Sequence, residues 1–353
     1  MENVPFSSLN FNKIHHCAFS RPPLRVVKSA TGRVMNPSNP PTGQSTPEIE
    51  EIRNKQYNST VIELRMAHDH LMIVRVKPDE AVPAFSGGQY TTLGLGSWEP
   101  RIDGGPLAEL PKPKLIRRAY SISCPMLDSQ GELLSNDQID YLEFYITLVL
   151  RPDSDDPPLT PRLFCLKVGD RLHLGKKPVG TYTLKPVQAN DNVIFAATGT
   201  GEAPHNSMSI ELLKRGHTGQ IVSITCVRYK GDLGYLDQQA QLQKRYSNYH
   251  YAAFTTREPE NIDQNHPHYI GKQYLQDKIH PEKFQELFGW TPHPEQTHVF
   301  LCGNPSMIGL PEKDENGQLF FPEPNGMVEL LTERGYQLST AKAPGNIHFE
   351  KYW

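Results

Sequence analysis

The sequence predicts two unlike halves: an antiparallel β-barrel over residues 51–187, then an α/β domain on a doubly wound parallel sheet over residues 188–353. Three observations carry that expectation. Between residues 57 and 184, apolar and β-branched residues alternate in short runs separated by Gly, Pro and Asp turns, the pattern of a small barrel. From Val193 onward, a short apolar run and further strand patterns alternate with helical ones, as in a parallel sheet with crossover helices. And 353 residues, at roughly 150 per domain, suffice for two domains and an extra arm.

Composition narrows the function classes. Lys and Arg number 36 against 39 Asp and Glu, so there is no general basic field for nucleic acid, and a charged partner must be met by a local patch. No apolar run approaches the roughly 18 residues of a membrane helix, so a soluble protein is expected. The five cysteines (Cys17, Cys124, Cys165, Cys226, Cys302) are scattered, with no CxxC pair and no iron–sulfur spacing. Free thiols in a reducing compartment are expected. If the protein handles single electrons, a metal-centred partner is a separate molecule.

Residues 1–50 read as an arm. They are rich in Pro, Ser and Asn, and before Glu48 hold a single acidic residue, Glu2, against Lys13, Arg21, Arg25, Lys28 and Arg33. That composition suits a transit peptide, yet no amphipathic Arg-rich helix is visible, and a disordered arm is the better reading. Residues 57–66 and 71–77 form a hairpin around Ala67-His68-Asp69-His70. A turn at Phe85–Tyr90 leads into a strand at Thr91–Leu95. Residues 97–116 are a Pro- and Gly-rich loop ending in Lys112, Lys114, Arg117 and Arg118. This basic patch is as often solvated as it is a dock for an acidic protein.

The run Arg117–Ser123, RRAYSIS, sets a guanidinium, an aromatic ring and a hydroxyl close together on one strand. Alternation sends Arg118 and Tyr120 to one side, Ala119 and Ser121 to the other. Such a set suits a flat, phosphorylated cofactor, although an Arg and a Tyr on an exposed strand are more often a solvated face. A strand follows at Leu142–Leu150. Thr160 then reads as a helix N-cap with Pro161 in the first turn, a seat for phosphate when it is not merely a cap. Val168–Leu174 and Pro178–Leu184 read as the closing strands.

In the second half, the buried-type strand Val193–Ala197 runs into Thr198-Gly199-Thr200-Gly201-Glu202-Ala203-Pro204 and a helix over 204–215 that stops at Gly216. Strand, Gly-rich turn and helix is the layout that cradles a pyrophosphate on backbone N–H groups. Strands and helices then alternate through Ile221–Val227, Tyr235–Arg245, Tyr249–Thr255, Tyr274–Ile279 and His298–Cys302. Cys302-Gly303-Asn304-Pro305 stands at a carboxyl strand end, where open α/β sheets bind ligands. Met307–Leu310 starts a helix that Met327–Arg334 resumes after an inserted stretch, 311–326. Tyr352 and Trp353 are apolar for so exposed a position and are expected to cover something flat.

With RAYS, GTGEAP, LCGNPSM and EKYW in this order, the chain resembles the ferredoxin–NADP⁺ reductase family over about residues 55–353, with apparent insertions near 97–116, 151–157 and 309–325. It looks closest to the bacterial ferredoxin/flavodoxin reductases that end in Tyr-Trp, which implies a cytoplasmic setting. The resemblance implies a Greek-key FAD barrel followed by an NADP-binding domain. It implies that Arg118, Ala119, Tyr120 and Ser121 bind FAD, with Tyr120 on the isoalloxazine, Ser121 near its N5 edge and Arg118 on the diphosphate. Phe144, Tyr145, Leu159 and Thr160 line the ribityl and diphosphate. Gly199, Thr200 and Gly201 form the turn near flavin and nicotinamide. Cys302 and Glu350 flank the nicotinamide, Tyr352 shields the flavin until the nicotinamide stacks, and Trp353 covers the adenine. Arg228, Arg257 and Lys272 match basic positions around a 2′-phosphate, favouring NADPH over NADH.

The activity implied is hydride transfer from NADPH to FAD N5, governed by orientation, and single-electron transfer to ferredoxin or flavodoxin docked near Lys112, Lys114 and Arg117. Ser121, Cys302, Glu350 and Tyr352 are the expected catalytic group, with no metal. Two positions depart from the family: Glu202 and His205 stand where relatives carry apolar or aromatic residues. A carboxylate there would repel a pyrophosphate unless it points away or meets a cation such as Arg228. The alternatives weighed are an NAD(P)H flavin reductase, the reductase component for another acceptor, and a flavin-bearing redox sensor without turnover.

Overall fold

The computed structural model describes residues 46–353 apart from 105–111, 135–137, 151–157, 323–324, 341 and 353. Most of the expected arm, part of the 97–116 loop, the expected insertion at 151–157 and Trp353 therefore lie outside the described residues. The described residues fall in one compact unit, Gly43–Trp353.

A helix precedes the barrel. In α1 (Pro47–Gln56), the Thr46 side chain accepts from the Ile49 N–H at 3.3 Å, Pro47 begins the helix, and acidic residues stand in the first turn with basic ones in the last. Sequence reading carried the arm to residue 50 because a helix that buries only Ile49 has almost no apolar stripe to read.

Six strands follow: β1 (Ser59–His68), β2 (Leu71–Pro78), β3 (Tyr90–Gly96), β4 (Leu115–Ser121), β5 (Leu142–Thr147) and β6 (Arg171–Leu174). Their order is β4-β3-β6-β1-β2-β5, with antiparallel neighbours throughout. A bridge between Ser123 and Glu143 joins the two ends and closes the Greek-key barrel. Val61, Val74, Leu93, Ile116, Phe144 and Leu172 fill its interior.

Three expectations are corrected here. Thr160 is not the cap of α2 (Thr160–Leu163); Leu159 takes that position, and the Thr160 hydroxyl instead bonds both the N–H and the carbonyl of Val149, each at 3.0 Å. Strand β5 stops at Thr147 rather than Leu150, beyond which it has no ladder partner. Pro178–Leu184 is no strand and contributes only the bridge of Val179 to Tyr90, since Pro178 has no N–H to donate and Gly180 bends the chain at φ +118.

The second sheet is parallel, ordered β13-β10-β7-β8-β9, from β7 (Asn192–Thr198), β8 (Ile221–Val227), β9 (Tyr249–Thr255), β10 (Thr297–Gly303) and β13 (Ile347–Lys351). Alternate residues of β7 face opposite cores. Val193 and Phe195 meet α3 (Glu202–Lys214) and α4 (Leu236–Arg245), together with Leu71, Ile73 and Tyr145 of the barrel. Ile194 and Ala196 meet α6 (Leu275–Lys278), α7 (Pro281–Phe288), α8 (Pro305–Ile308) and α9 (Met327–Thr332). A short helix, α5 (Pro259–Ile262), follows β9. Helices thus cover both faces, as the doubly wound pattern requires.

The stretch expected to be inserted at 311–326 separates two helices. Gly309, at φ +64, ends α8 in a left-handed turn, and the hairpin of β11 (Glu312–Lys313) and β12 (Leu319–Phe320) intervenes before α9. At its neck a Cβ on Gly309 would lie 2.4 Å from the Gly326 Cα, so glycine is required for the two chains to pass. Sequence reading missed α7 and the edge strand β13. Helix α7 has only eight residues, Pro281 being the first, and β13 alternates only weakly.

Candidate active site

The two halves meet where β4 of the barrel faces the carboxyl ends of β7 and β10. The chain leaves β7 one way, through β8 and β9, and returns on the other side of β7 with β10, so these two strands flank the topological switch point. Their ends approach closely. A Cβ on Gly201 would lie 2.3 Å from the Cys302 carbonyl oxygen, and one on Gly303 (φ +126) would lie 2.2 Å from the Thr198 Oγ1. That hydroxyl instead accepts from the Asn304 N–H at 2.7 Å. The GTG turn takes Gly199 through φ +55 and leads directly into α3.

A cavity of about 570 Å³ opens at this junction. Arg118, Ala119, Tyr120 and Ser121 form one wall, with Tyr145 from β5, Leu159 and Thr160 from α2, and Thr200 from the turn. Glu350 and Tyr352 close it from β13. Of the residues expected at this junction, Phe144, Gly199, Gly201 and Cys302 are not on the wall: strand alternation turns Phe144 into the barrel core, and Cys302 is fully buried on β10.

Register brings the reactive group together. Cys302 and Glu350 are paired across β10 and β13, and the next pair, Gly303 and Lys351, leads to the Tyr352 N–H, which donates to the Gly303 carbonyl at 3.1 Å. The Tyr352 hydroxyl donates to the Thr200 carbonyl at 3.4 Å. The Ser121 hydroxyl donates to Glu350 Oε2 at 3.2 Å. Burial pushes the Glu350 carboxyl up to about 7 against the opposing pull of that bond. Burial, with Glu350 nearby, pushes the Cys302 thiol well above its ordinary value, so the sulfur stays neutral and is not an activated nucleophile.

Neither departure from the family pattern reaches the cavity. Glu202 is buried beneath the turn and accepts from Gln239 Nε2 at 2.9 Å, rather than meeting Arg228; burial pushes it up to about 7. His205 is buried between Tyr182 and Phe195, its Nε2 2.8 Å from the Tyr182 hydroxyl, and burial pushes it down to about 3. Of the outcomes open for Glu202, the structure has the one in which its carboxyl points away from the cavity.

Arg228, Arg257 and Lys272 are exposed beyond the carboxyl ends of β8 and β9 and outside the cavity wall. They are neighbours: the Arg257 N–H donates to the Arg228 carbonyl at 2.9 Å, and Gln273, next to Lys272, donates to the Thr255 carbonyl at 3.2 Å. Lys112, Lys114 and Arg117 are exposed at the far end of β4. Trp353 lies outside the described residues. The structure adds Tyr90, Ile146, Thr147, Val149, Pro158 and Lys351 to the wall. Tyr90 carried a readable signal, since it faces Ser121 across the β3–β4 ladder, as did Ile146 and Thr147 at the end of β5; Lys351 ends the weakly patterned β13, and Val149 and Pro158 stand outside the strands with no pattern. Among the described residues no three His, Cys, Asp or Glu side chains cluster as metal ligands, and no helix is long and apolar enough to cross a membrane.

The site thus joins a flat aromatic and apolar wall, a guanidinium, and a hydroxyl–carboxylate pair beside a neutral thiol. Comparison with known proteins agrees with this architecture. Residues 195–313 match the family model of the oxidoreductase NAD-binding domain. The flavodoxin/ferredoxin–NADP reductase of Escherichia coli K12 is 30% identical over 228 residues, covering 64% of this chain and 76% of that protein. The flavodoxin/ferredoxin–NADP reductase of Buchnera aphidicola (subsp. Schizaphis graminum) is 29% identical over 275 residues, 77% of this chain and 90% of that one. Among solved structures, a ferredoxin NADP⁺ reductase from Neisseria gonorrhoeae with bound FAD and NADP superposes with a TM-score of 0.61 at 20% identity, covering 84% of this chain and 98% of that one.

Proposed function

This chain belongs to the flavodoxin/ferredoxin–NADP reductase family, and on that premise we propose that it moves electrons between NADPH and a small one-electron carrier, ferredoxin or flavodoxin, by way of bound FAD. The observation that carries this reading is the Ser121–Glu350 hydrogen bond, which joins the barrel wall to the strand ends of the α/β domain where a hydride donor and acceptor must meet.

The cavity fits a flavin nucleotide. It has an aromatic side chain, Tyr120, on the same wall as Arg118, with apolar Leu159 and Pro158 and the Thr200 of the GTG turn also lining it. Arg118 would hold the diphosphate, and Tyr120 and Tyr145 would flank the ring system and its ribityl chain. When bound, FAD supplies acceptance of a hydride and release of electrons one at a time.

What the chain's own residues contribute is orientation. Ser121 and Glu350 hold each other across the junction, so that the barrel wall and the nicotinamide side keep a fixed separation. Tyr352, on the cavity wall with its hydroxyl donating to the Thr200 carbonyl at 3.4 Å, would give way to the nicotinamide ring. Cys302, neutral and buried, offers a small polarizable surface beside that position. Arg228, Arg257 and Lys272 would bind the 2′-phosphate, and their exposure leaves them open to it. Lys112, Lys114 and Arg117 would dock the acidic carrier, while the four described cysteines are free and scattered, which suits a cytoplasmic enzyme with an external carrier. In this reading residues 51–187 hold FAD and 188–353 hold the coenzyme.

An anaerobic visible spectrum of the purified protein tests it. A yellow protein that bleaches with NADPH, and much less with NADH, supports flavin, coenzyme and hydride transfer together; a colourless protein overturns the reading.

A further inference from the structure

The segment between β8 and α4, residues 228–235, carries Arg228 yet is fastened largely to the opposite domain. Arg65 of β1 donates to the Gly234 carbonyl at 3.0 Å. Tyr145 of β5 donates to the Asp232 carbonyl at 2.6 Å and accepts from the Gly234 N–H at 2.8 Å. A Cβ on Gly234 would lie 2.9 Å from the Tyr145 ring, so the close approach needs that glycine. Tyr235 donates to Glu143 at 2.8 Å inside the barrel closure. On its own domain's side, Lys230 meets Glu258 and Glu260.

At the centre stands Asp232, whose two carboxylate oxygens have different jobs. Oδ1 lies 2.7 Å from His68 Nε2 on β1, and Oδ2 accepts from the Tyr229 N–H at 3.0 Å. The His70 N–H donates to His68 Nδ1 at 3.1 Å, so the ring's proton sits on Nε2 and points at Asp232 without any need for a positive charge. Tyr229 directly follows Arg228, and the Arg228 carbonyl holds the Arg257 N–H. A continuous path therefore runs from a barrel histidine to both arginines.

We propose that His68 is a coenzyme-positioning residue: through Asp232 it sets the backbone at Tyr229, and so places the Arg228–Arg257 pair relative to the barrel for the 2′-phosphate of NADPH. This rests on the 2′-phosphate assignment made above. A residue of the FAD-binding half thereby contributes to coenzyme choice without touching the coenzyme.

The test is NADP⁺ binding to the FAD-loaded protein by calorimetry, alongside steady-state KM and kcat with NADPH and NADH. His68→Ala weakens NADP⁺ binding and raises KM for NADPH about threefold to fivefold, the size of a half-exposed charged hydrogen bond. Flavin content, kcat and KM for NADH, which lacks the phosphate, stay as in the unmutated protein. His68→Gln, whose amide donates to Asp232, restores most of the loss. Arg228→Ala, the control, weakens NADP⁺ by about tenfold or more. If His68→Ala binds NADP⁺ normally while Arg228→Ala does not, the positioning role is wrong and the phosphate assignment stands. If His68→Ala sheds FAD or harms NADH equally, its role is structural and the proposal falls. If Arg228→Ala has no effect, the phosphate assignment fails and takes the proposal with it.

Discussion

Ser121 on the barrel and Glu350 on the edge strand of the parallel sheet are 229 residues apart and share a hydrogen bond of 3.2 Å. Burial raises the carboxyl to about 7 against the pull of this bond, leaving it poised between its two protonation states near neutral pH. Glu350→Gln is expected to remove an inflection near pH 7 from the kcat/KM profile for NADPH, and Ser121→Ala to slow flavin bleaching by roughly tenfold or more through lost orientation. Anaerobic stopped-flow absorbance across pH checks both. A Glu350→Gln profile that keeps the inflection assigns it elsewhere.

The Tyr352 hydroxyl donates to the Thr200 carbonyl at 3.4 Å. Tyr352→Ser should bind NADP⁺ more tightly, by about tenfold, because no side chain then has to leave the nicotinamide position. Calorimetry on the FAD-loaded protein reads this directly, and unchanged affinity would mean that Tyr352 does not occupy that position.

Glu202 has a pH signature in stability rather than activity. Its folded value, about 7, lies above the ordinary 4.5, so the folded form holds the proton more tightly. The stability it contributes is fully present below about pH 4.5 and is lost as pH rises through about 7, a change of at most on the order of 3 kcal/mol. Glu202→Gln keeps the acceptor for Gln239 and cannot ionise. Its urea midpoint should match the unmutated protein near pH 5 and exceed it near pH 8. Equal midpoints at both would show that Glu202 is not held protonated.

Gly201→Ala forces a Cβ to within 2.3 Å of the Cys302 carbonyl, which is backbone and cannot rotate away. A loss of roughly 1–3 kcal/mol in denaturant unfolding is expected, with weaker NADP⁺ binding as β7 and β10 part. Full stability in this variant would mean that the two strand ends are not so tightly apposed.

Neutralising Lys112, Lys114 and Arg117 together should raise KM for an acidic carrier several-fold at low salt and flatten its salt dependence, leaving NADPH-to-ferricyanide turnover unchanged. An unchanged carrier KM would move the dock elsewhere on the surface.

Much of this was legible because its cause is local. Alternation of period two marked β1 and β2, an apolar run marked β7, further strand patterns alternating with helical ones marked β8 and β10, and the glycines of GTG and CGNP marked positions where backbone meets backbone. Elements with weak local signals were lost or misjudged. Helix α1 buries one side chain, Pro178–Leu184 looks like a strand but is bonded only at Val179, and Thr160 looks like a cap but bonds Val149.

What the sequence alone determined, then, is the order of the elements and the residue types gathered at the switch point, since propensity and periodicity act over a few residues. Tertiary structure decided which polar groups face the cavity. Glu202 and Glu350 are both pushed to about 7 by burial, yet one lies under the turn against Gln239 and the other meets Ser121 at the site. Likewise His205 became a core ring and His68 a tie to the opposite domain. A buried polar atom takes its role from the partner that satisfies it, and here that partner stands on another element of the chain.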